Sequence, residues 1–139
     1  MIYRRTVPVE FNHCDPAGIV FYPRYFEMTN SVVENFFAEV LNYPFSRIHL
    51  QEKSGLPTVH IEIDFRAPSR LGDRLDFTLE IVRVGQSSVH LVLQAGSGGQ
   101  ERLRMQSVLV WVSPAGKAAP WPAEIQEKMK AFKGKRQNA

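Results

Sequence analysis

A chain of 139 residues is the length of one domain, and 44% hydrophobic with 22% charged residues excludes a disordered chain, a collagen and a coiled coil. One cysteine, Cys14, leaves no partner for an internal disulfide and rules out a cysteine metal cluster. The net charge of +3 is too small to imply a nucleic-acid partner by itself, and no apolar run approaches the ~18 residues of a membrane span.

The chain opens on Met1-Ile2-Tyr3-Arg4-Arg5 with no apolar stretch of the secretory kind, so a cytoplasmic protein is expected. Residues 2–11 alternate loosely, with Tyr3, Val7, Val9 and Phe11 on one face, and Pro8 implies that this strand lies at an edge or pairs only in part. A loop over residues 12–23 follows. A helix is predicted from about Pro23 to about Asn42, since proline suits a helix start. Tyr25, Phe26, Met28, Thr29, Val32, Val33, Phe36, Phe37, Val40 and Leu41 cover roughly 220° of its surface, where a surface helix needs about 100°. The helix is therefore expected to be wrapped by other structure.

Four strands come next, each alternating apolar and polar residues. Their apolar sets are Val59/Ile61/Ile63/Phe65, Leu75/Phe77/Leu79/Ile81, Val89/Leu91/Leu93 and Leu103/Met105/Leu109/Trp111. The short turn-forming separators imply an antiparallel meander. A last helix, from about Pro122 to Phe132, leads into a basic tail with Lys128, Lys130, Lys133, Lys135 and Arg136. The pattern is α+β in the order β-α-β-β-β-β-α, in one domain spanning 1–139. The simplest packing curls the sheet around the long helix, and open sheet edges favour a second copy as partner.

The densest polar cluster is Asn12-His13-Cys14-Asp15, just before the helix start. A helix N-terminus offers unpaired N–H groups and positive dipole, which suit a carbonyl oxygen gaining charge during attack. Asp15 as base or nucleophile, with amides near Phe21 and Tyr22, thus forms a set for acyl transfer. The same Asp-Pro-x-Gly is also an ordinary turn in which Asp bonds local amides.

The block Asp15-Pro16-Ala17-Gly18-Ile19-Val20-Phe21-Tyr22-Pro23-x-Tyr25 resembles the signature of the hotdog-fold 4-hydroxybenzoyl-CoA thioesterase family. The strand order after it agrees with that resemblance along nearly the whole chain. The resemblance implies a hotdog fold, with a long central helix in a curved antiparallel sheet. It also implies homodimers or homotetramers with active sites at the subunit interface, an acyl-CoA substrate and no cofactor. By the same resemblance Asp15 is the catalytic carboxylate, as nucleophile or general base, and the backbone N–H of Tyr22 polarises the thioester carbonyl. His13, Tyr25, Asn30 and Arg83 are the expected substrate contacts. Asn30 stands where the 4-hydroxybenzoyl enzyme has an aspartate for the ring hydroxyl. The charge is lost there, which shifts the expectation toward an aromatic or otherwise bulky acyl group without fixing it. Arg83 is the charged candidate for the CoA phosphates in the turn region where the family places such residues.

A Cys14–His13 nucleophile pair is disfavoured, because adjacent residues in an extended segment point to opposite sides. His49, His60 and His90 have no second ligand at metal spacing, so no metal is expected. Glu27 and Glu34, on the polar arc of the helix, are weaker alternatives to Asp15. Two other functions fit the same fold: a hydratase or dehydratase with His13 as acid–base group, and a non-catalytic acyl-CoA binding module.

Overall fold

The computed structural model describes residues 1–134, so Lys135 and Arg136 of the basic tail lie outside the described residues. The elements are β1 (Tyr3–Pro8), a 3-10 turn (Phe11–His13), α1 (Arg24–Glu39), a π-helical segment (Ser46–Gln51), β2 (Thr58–Phe65), β3 (Arg74–Val84), β4 (Ser88–Ser97), β5 (Gln100–Val110) and α2 (Ala123–Lys133). This is the expected β-α-β-β-β-β-α order with Ser46–Gln51 added. Phe11 does not continue β1: it sits in the 3-10 turn, 82% exposed.

The five strands form one antiparallel sheet in the order β1-β3-β4-β5-β2. Alternation puts Leu75, Phe77, Leu79 and Ile81 of β3, Val89, Leu91, Leu93 and Ala95 of β4, and Leu103, Met105 and Leu109 of β5 on the buried face. They share one core with Met28, Val32, Val33, Phe36 and Phe37 of α1. Each such side chain contributes about 1.5–3 kcal/mol on full burial. Tyr3 of β1 and Phe132 of α2 meet Phe36 edge-on, at ring separations of 5.6 and 5.0 Å, so the end of the chain closes over the helix.

α1 stops because Asn42 takes a left-handed conformation (φ 52°) and the Tyr43 N–H turns back to Phe37 O. Lys128 of α2 donates to Leu41 O at 2.9 Å and supplies positive charge at the dipole's negative end.

The simple meander fails at one point. β3, β4 and β5 pair in sequence, but β2 pairs with β5 on the far edge (Ile61 opposite Ser107, Ile63 opposite Met105) and not with β3. The reason is the connection: residues 66–73 separate Phe65 from Arg74, more than the 2–5 residues of a hairpin loop, and they cross the end of the sheet. The apolar face of β2 is consequently left partly bare, with Val59, Ile61 and Phe65 exposed by 59, 42 and 45%. Among the described residues, no helix is long and apolar enough to cross a membrane.

Candidate active site

Residues 13–21 form a small antiparallel hairpin between the 3-10 turn and α1. The Asp15 N–H donates to Ile19 O and the Phe21 N–H to His13 O, both at 2.9 Å, with Cys14 bridged to Val20 between them. Gly18 makes the bend at φ 80°, a conformation that a side chain would strain. The hairpin lies against the 66–73 crossing: the Val20 N–H donates to Ser69 O at 2.9 Å and the Leu71 N–H to Gly18 O at 3.2 Å.

Asp15 is half-buried. Its Oδ1 accepts the Ala17 N–H at 2.9 Å, the local turn bond its sequence context suggests. That bond fixes the carboxylate and leaves Oδ2 with no protein hydrogen bond among the described residues. The carboxylate borders an open trough of about 490 Å³, walled by Phe11, Cys14, Pro16, Gly18 and Leu71.

Of the two amides at the helix start, only one is available. The Phe21 N–H is used by His13 O, and the next N–H groups, of Arg24 and Tyr25, are used by Phe21 O and Tyr22 O. The Tyr22 N–H takes part in no backbone hydrogen bond among the described residues. It sits at the positive end of α1, where a developing oxyanion is favoured. Choosing Tyr22 over Phe21 requires this bonding pattern, which composition and spacing do not carry.

Beside Tyr22 is an aromatic cleft of about 300 Å³ lined by Val20, Tyr22, Tyr25, Phe65, Arg66, Ala67 and Pro68. Phe65 joins its two walls, with its ring 5.9 Å from Tyr22 and 5.7 Å from Tyr25. The Tyr25 hydroxyl is buried and has no hydrogen-bond partner among the described residues. Phe65 comes from β2, 40 residues beyond Tyr25, and no motif links it to this cleft.

The other sequence-derived candidates are placed as follows. His13 is half-buried at the hairpin base, and its Nδ1 accepts the Glu10 N–H at 2.9 Å. The bonded ring is therefore the tautomer with the proton on Nε2, and Nδ1 is not free to act as a base. Cys14 Sγ points back to Glu10 O at 3.6 Å. Glu27 pairs with Arg24 at 2.7 Å, and Glu34 is exposed. Asn30 is exposed on α1, eight residues past Tyr22, about 12 Å along the helix axis. Arg83 sits at a bulge near the β4 end of β3, opposite His90, whereas the Asp15 hairpin is bound at the Asp73 end. Nine residues of strand separate Arg74 from Arg83, or about 30 Å. One protomer thus carries His13, Asp15 and Tyr22 on one short segment, with Asp15 at the trough and Tyr22 and Tyr25 at the aromatic cleft, and leaves Asn30 and Arg83 apart from them. Among the described residues, no three His, Cys, Asp or Glu side chains gather in a way that could hold a metal ion.

Comparison with known proteins bears on the family and the fold. Residues 9–129 match the model of the thioesterase-like superfamily. The 1,4-dihydroxy-2-naphthoyl-CoA hydrolase of Synechococcus elongatus is 24% identical over 120 residues, covering 86% of this chain and 88% of that protein. Among solved structures, a 1,4-dihydroxy-2-naphthoyl-CoA thioesterase from Synechocystis superposes with a TM-score of 0.84 at 25% identity, covering 93% of this chain and 96% of that one. A gentisyl-coenzyme A thioesterase superposes with a TM-score of 0.81 at 25% identity, covering 94% and 100%. The chain therefore belongs to the thioesterase-like superfamily, as a hotdog-fold acyl-CoA thioesterase.

Proposed function

We propose that the chain hydrolyses a hydroxylated aromatic acyl-CoA, of the 1,4-dihydroxy-2-naphthoyl-CoA kind, to the free acid and CoA, with Asp15 driving the attack. The observation that carries this reading is a carboxylate with one pinned and one open oxygen, in the same short segment as the unengaged Tyr22 N–H and an aromatic cleft. The similar proteins act on dihydroxynaphthoyl and gentisyl thioesters, which supports a ring-shaped acyl group over an aliphatic one. A 4-hydroxybenzoyl preference has less support, because Asn30 offers an amide where an aspartate would meet the ring hydroxyl.

The chemistry runs by either of two routes. As nucleophile, Asp15 attacks the carbonyl carbon, the C–S bond breaks, and CoA leaves as thiolate; water then opens the resulting anhydride. As general base, Asp15 takes a proton from water, which attacks the same carbon, and the thiolate again leaves. In both, negative charge develops on the carbonyl oxygen and is met by the Tyr22 N–H. The thioester is already activated, so the reaction needs no cofactor.

The site is completed by a second copy. β2 is an edge strand with bare apolar residues on its inner face, and pairing two β2 edges would cover them. Asn30 and Arg83 of the partner subunit then contact the acyl group and the CoA phosphates that one protomer's own copies do not reach.

The test is free-thiol release from a panel of 1,4-dihydroxy-2-naphthoyl-, 4-hydroxybenzoyl-, benzoyl- and aliphatic acyl-CoAs. Fastest release from a hydroxyaryl thioester is expected. Hydration of an enoyl-CoA without thiol release would instead mean a hydratase. Thermal stabilisation by acyl-CoAs without turnover would mean a binding module.

A further inference from the structure

We propose that Arg102 is a positioning residue for the reaction, holding the Asp15–Tyr22 segment in its working geometry by tying down the 66–73 crossing behind it. The inference rests on the roles given above to Asp15 and Tyr22.

Arg102 lies on β5 and is only 9% exposed. Its Nη1 donates to Pro68 O at 3.2 Å, Ser69 Oγ at 3.1 Å and Asp73 Oδ2 at 2.7 Å. Its own carbonyl accepts the N–H groups of Arg66 (2.8 Å) and Ala67 (3.3 Å). One residue therefore fixes the crossing from its first residue to its last. Asp73 also accepts the Arg70 N–H at 2.9 Å, closing the turn upon itself. The Arg102 guanidinium, and after it the Arg70 N–H, hold the Asp73 carboxyl below its ordinary range.

The crossing is in turn the surface on which the site hairpin rests. Ser69, whose side chain Arg102 holds, accepts the Val20 N–H with its carbonyl; Leu71 donates to Gly18; and Ile19 is bridged to Arg70. Two residues past Val20 is the Tyr22 N–H, and Asp15 is bonded across the hairpin to Ile19. Asp73 O and Gly72 N also bracket Val9, so the chain entering the hairpin is held by the same loop.

Stability alone accounts poorly for this arrangement. The ion pair is only partly buried, with the Asp73 side chain still 30% exposed, and pairs of this kind return little net stability. Here Nε is also buried without an acceptor among the described residues, which adds to the cost. What an apolar side chain cannot do is donate to the three acceptors gathered around Nη1, and a lysine ammonium ends one bond short of the Nη1 position.

The test compares Arg102→Met and Arg102→Lys with the native chain in two assays. In hydrogen exchange, the amides of residues 13–22 should exchange roughly tenfold faster or more in both variants, while those of β4 stay unchanged. With 1,4-dihydroxy-2-naphthoyl-CoA, kcat should fall on the order of 10–100-fold with KM within about threefold, the signature of a displaced reacting group. The double variant Asp15→Asn/Arg102→Met should be no slower than Asp15→Asn alone, because both changes act on one group. Unchanged exchange over 13–22, kcat within about twofold of native, or full additivity in the double variant would overturn the proposal. If both Arg102 variants fail to fold, Ser69→Ala removes one acceptor and must raise exchange over the same residues. Native-like turnover by Asp15→Asn would sink the role given to Asp15, while the exchange result would still decide whether Arg102 holds the segment.

Discussion

Replacing the Phe21–Tyr22 amide by an ester removes the Tyr22 N–H while keeping the Tyr22 side chain, so it separates the proposed oxyanion donor from that side chain; it also weakens the Phe21 carbonyl that accepts the Arg24 N–H, so a native melting temperature is required alongside the kinetics. At the start of α1 the Phe21, Arg24 and Tyr25 N–H groups are already bonded, and Tyr22 supplies the one that takes part in no backbone hydrogen bond among the described residues. No neighbouring amide can substitute for it. Loss of a single donor of this kind costs about 2.7–4 kcal/mol of transition-state stabilisation, or about 10²–10³ in kcat. The Tyr22 ring, by contrast, is more than half exposed and only borders the aromatic cleft. Tyr22→Ala should therefore raise KM and change kcat by less than about tenfold, about 1.4 kcal/mol. Thiol release under saturating acyl-CoA separates the two variants. Equal kcat losses in the ester and Tyr22→Ala, or a fully active ester, would refute the assignment of the donor.

Two further outcomes follow from the fold. Ile61→Glu alters a residue that is 42% exposed in the protomer but would be buried when β2 edges pair. It should leave the protomer folded, weaken self-association by at least about 100-fold (about 2.7 kcal/mol) and abolish turnover; light scattering checks the mass, and an unchanged oligomer would count against β2 pairing. Tyr43 tests the packing of the segment after α1: its hydroxyl donates to Glu52 (2.5 and 2.6 Å) while the Arg47 guanidinium lies 3.9 Å from its ring centre. Burial first, then the Glu52 hydrogen bond, push the Tyr43 hydroxyl up to about 12 from 10.0. Between those values the unfolded chain has lost the proton and the folded chain has kept it, so stability falls as pH rises, by a few kcal/mol at most, on the order of two pKa units. Urea unfolding at pH 9 and 11.5 should show that loss in the native chain and a flatter response in Tyr43→Phe; equal slopes would refute the coupling.

The fold was legible where one face of a strand is buried. Leu75, Phe77, Leu79 and Ile81 alternate because a core lies on one side of β3, and the broad apolar surface of α1 reflects a helix enclosed by the sheet. β2 alternates in the same way, yet its position at the far edge was not legible from alternation, since period two reports a face and not a neighbour. The length of the 66–73 connection was the available signal. Ser46–Gln51 was missed because only Ile48 in it is buried, which gives no periodicity to read. At the candidate site, Asp15 and Tyr22 were named through the family resemblance, whereas Phe65 and Arg102 join the neighbouring structure through β2 and β5. Arg102 falls on the side of β5 that alternation assigns to solvent, and only the crossing loop covers it.

The most direct measurement of the central claim is the turnover of Asp15→Asn. The substitution keeps the Ala17 N–H bond to the side-chain oxygen and removes the charge that either route needs. A variant with native melting temperature and thiol release reduced by at least about 10²-fold is the expected result. Native-like thiol release would contradict the account.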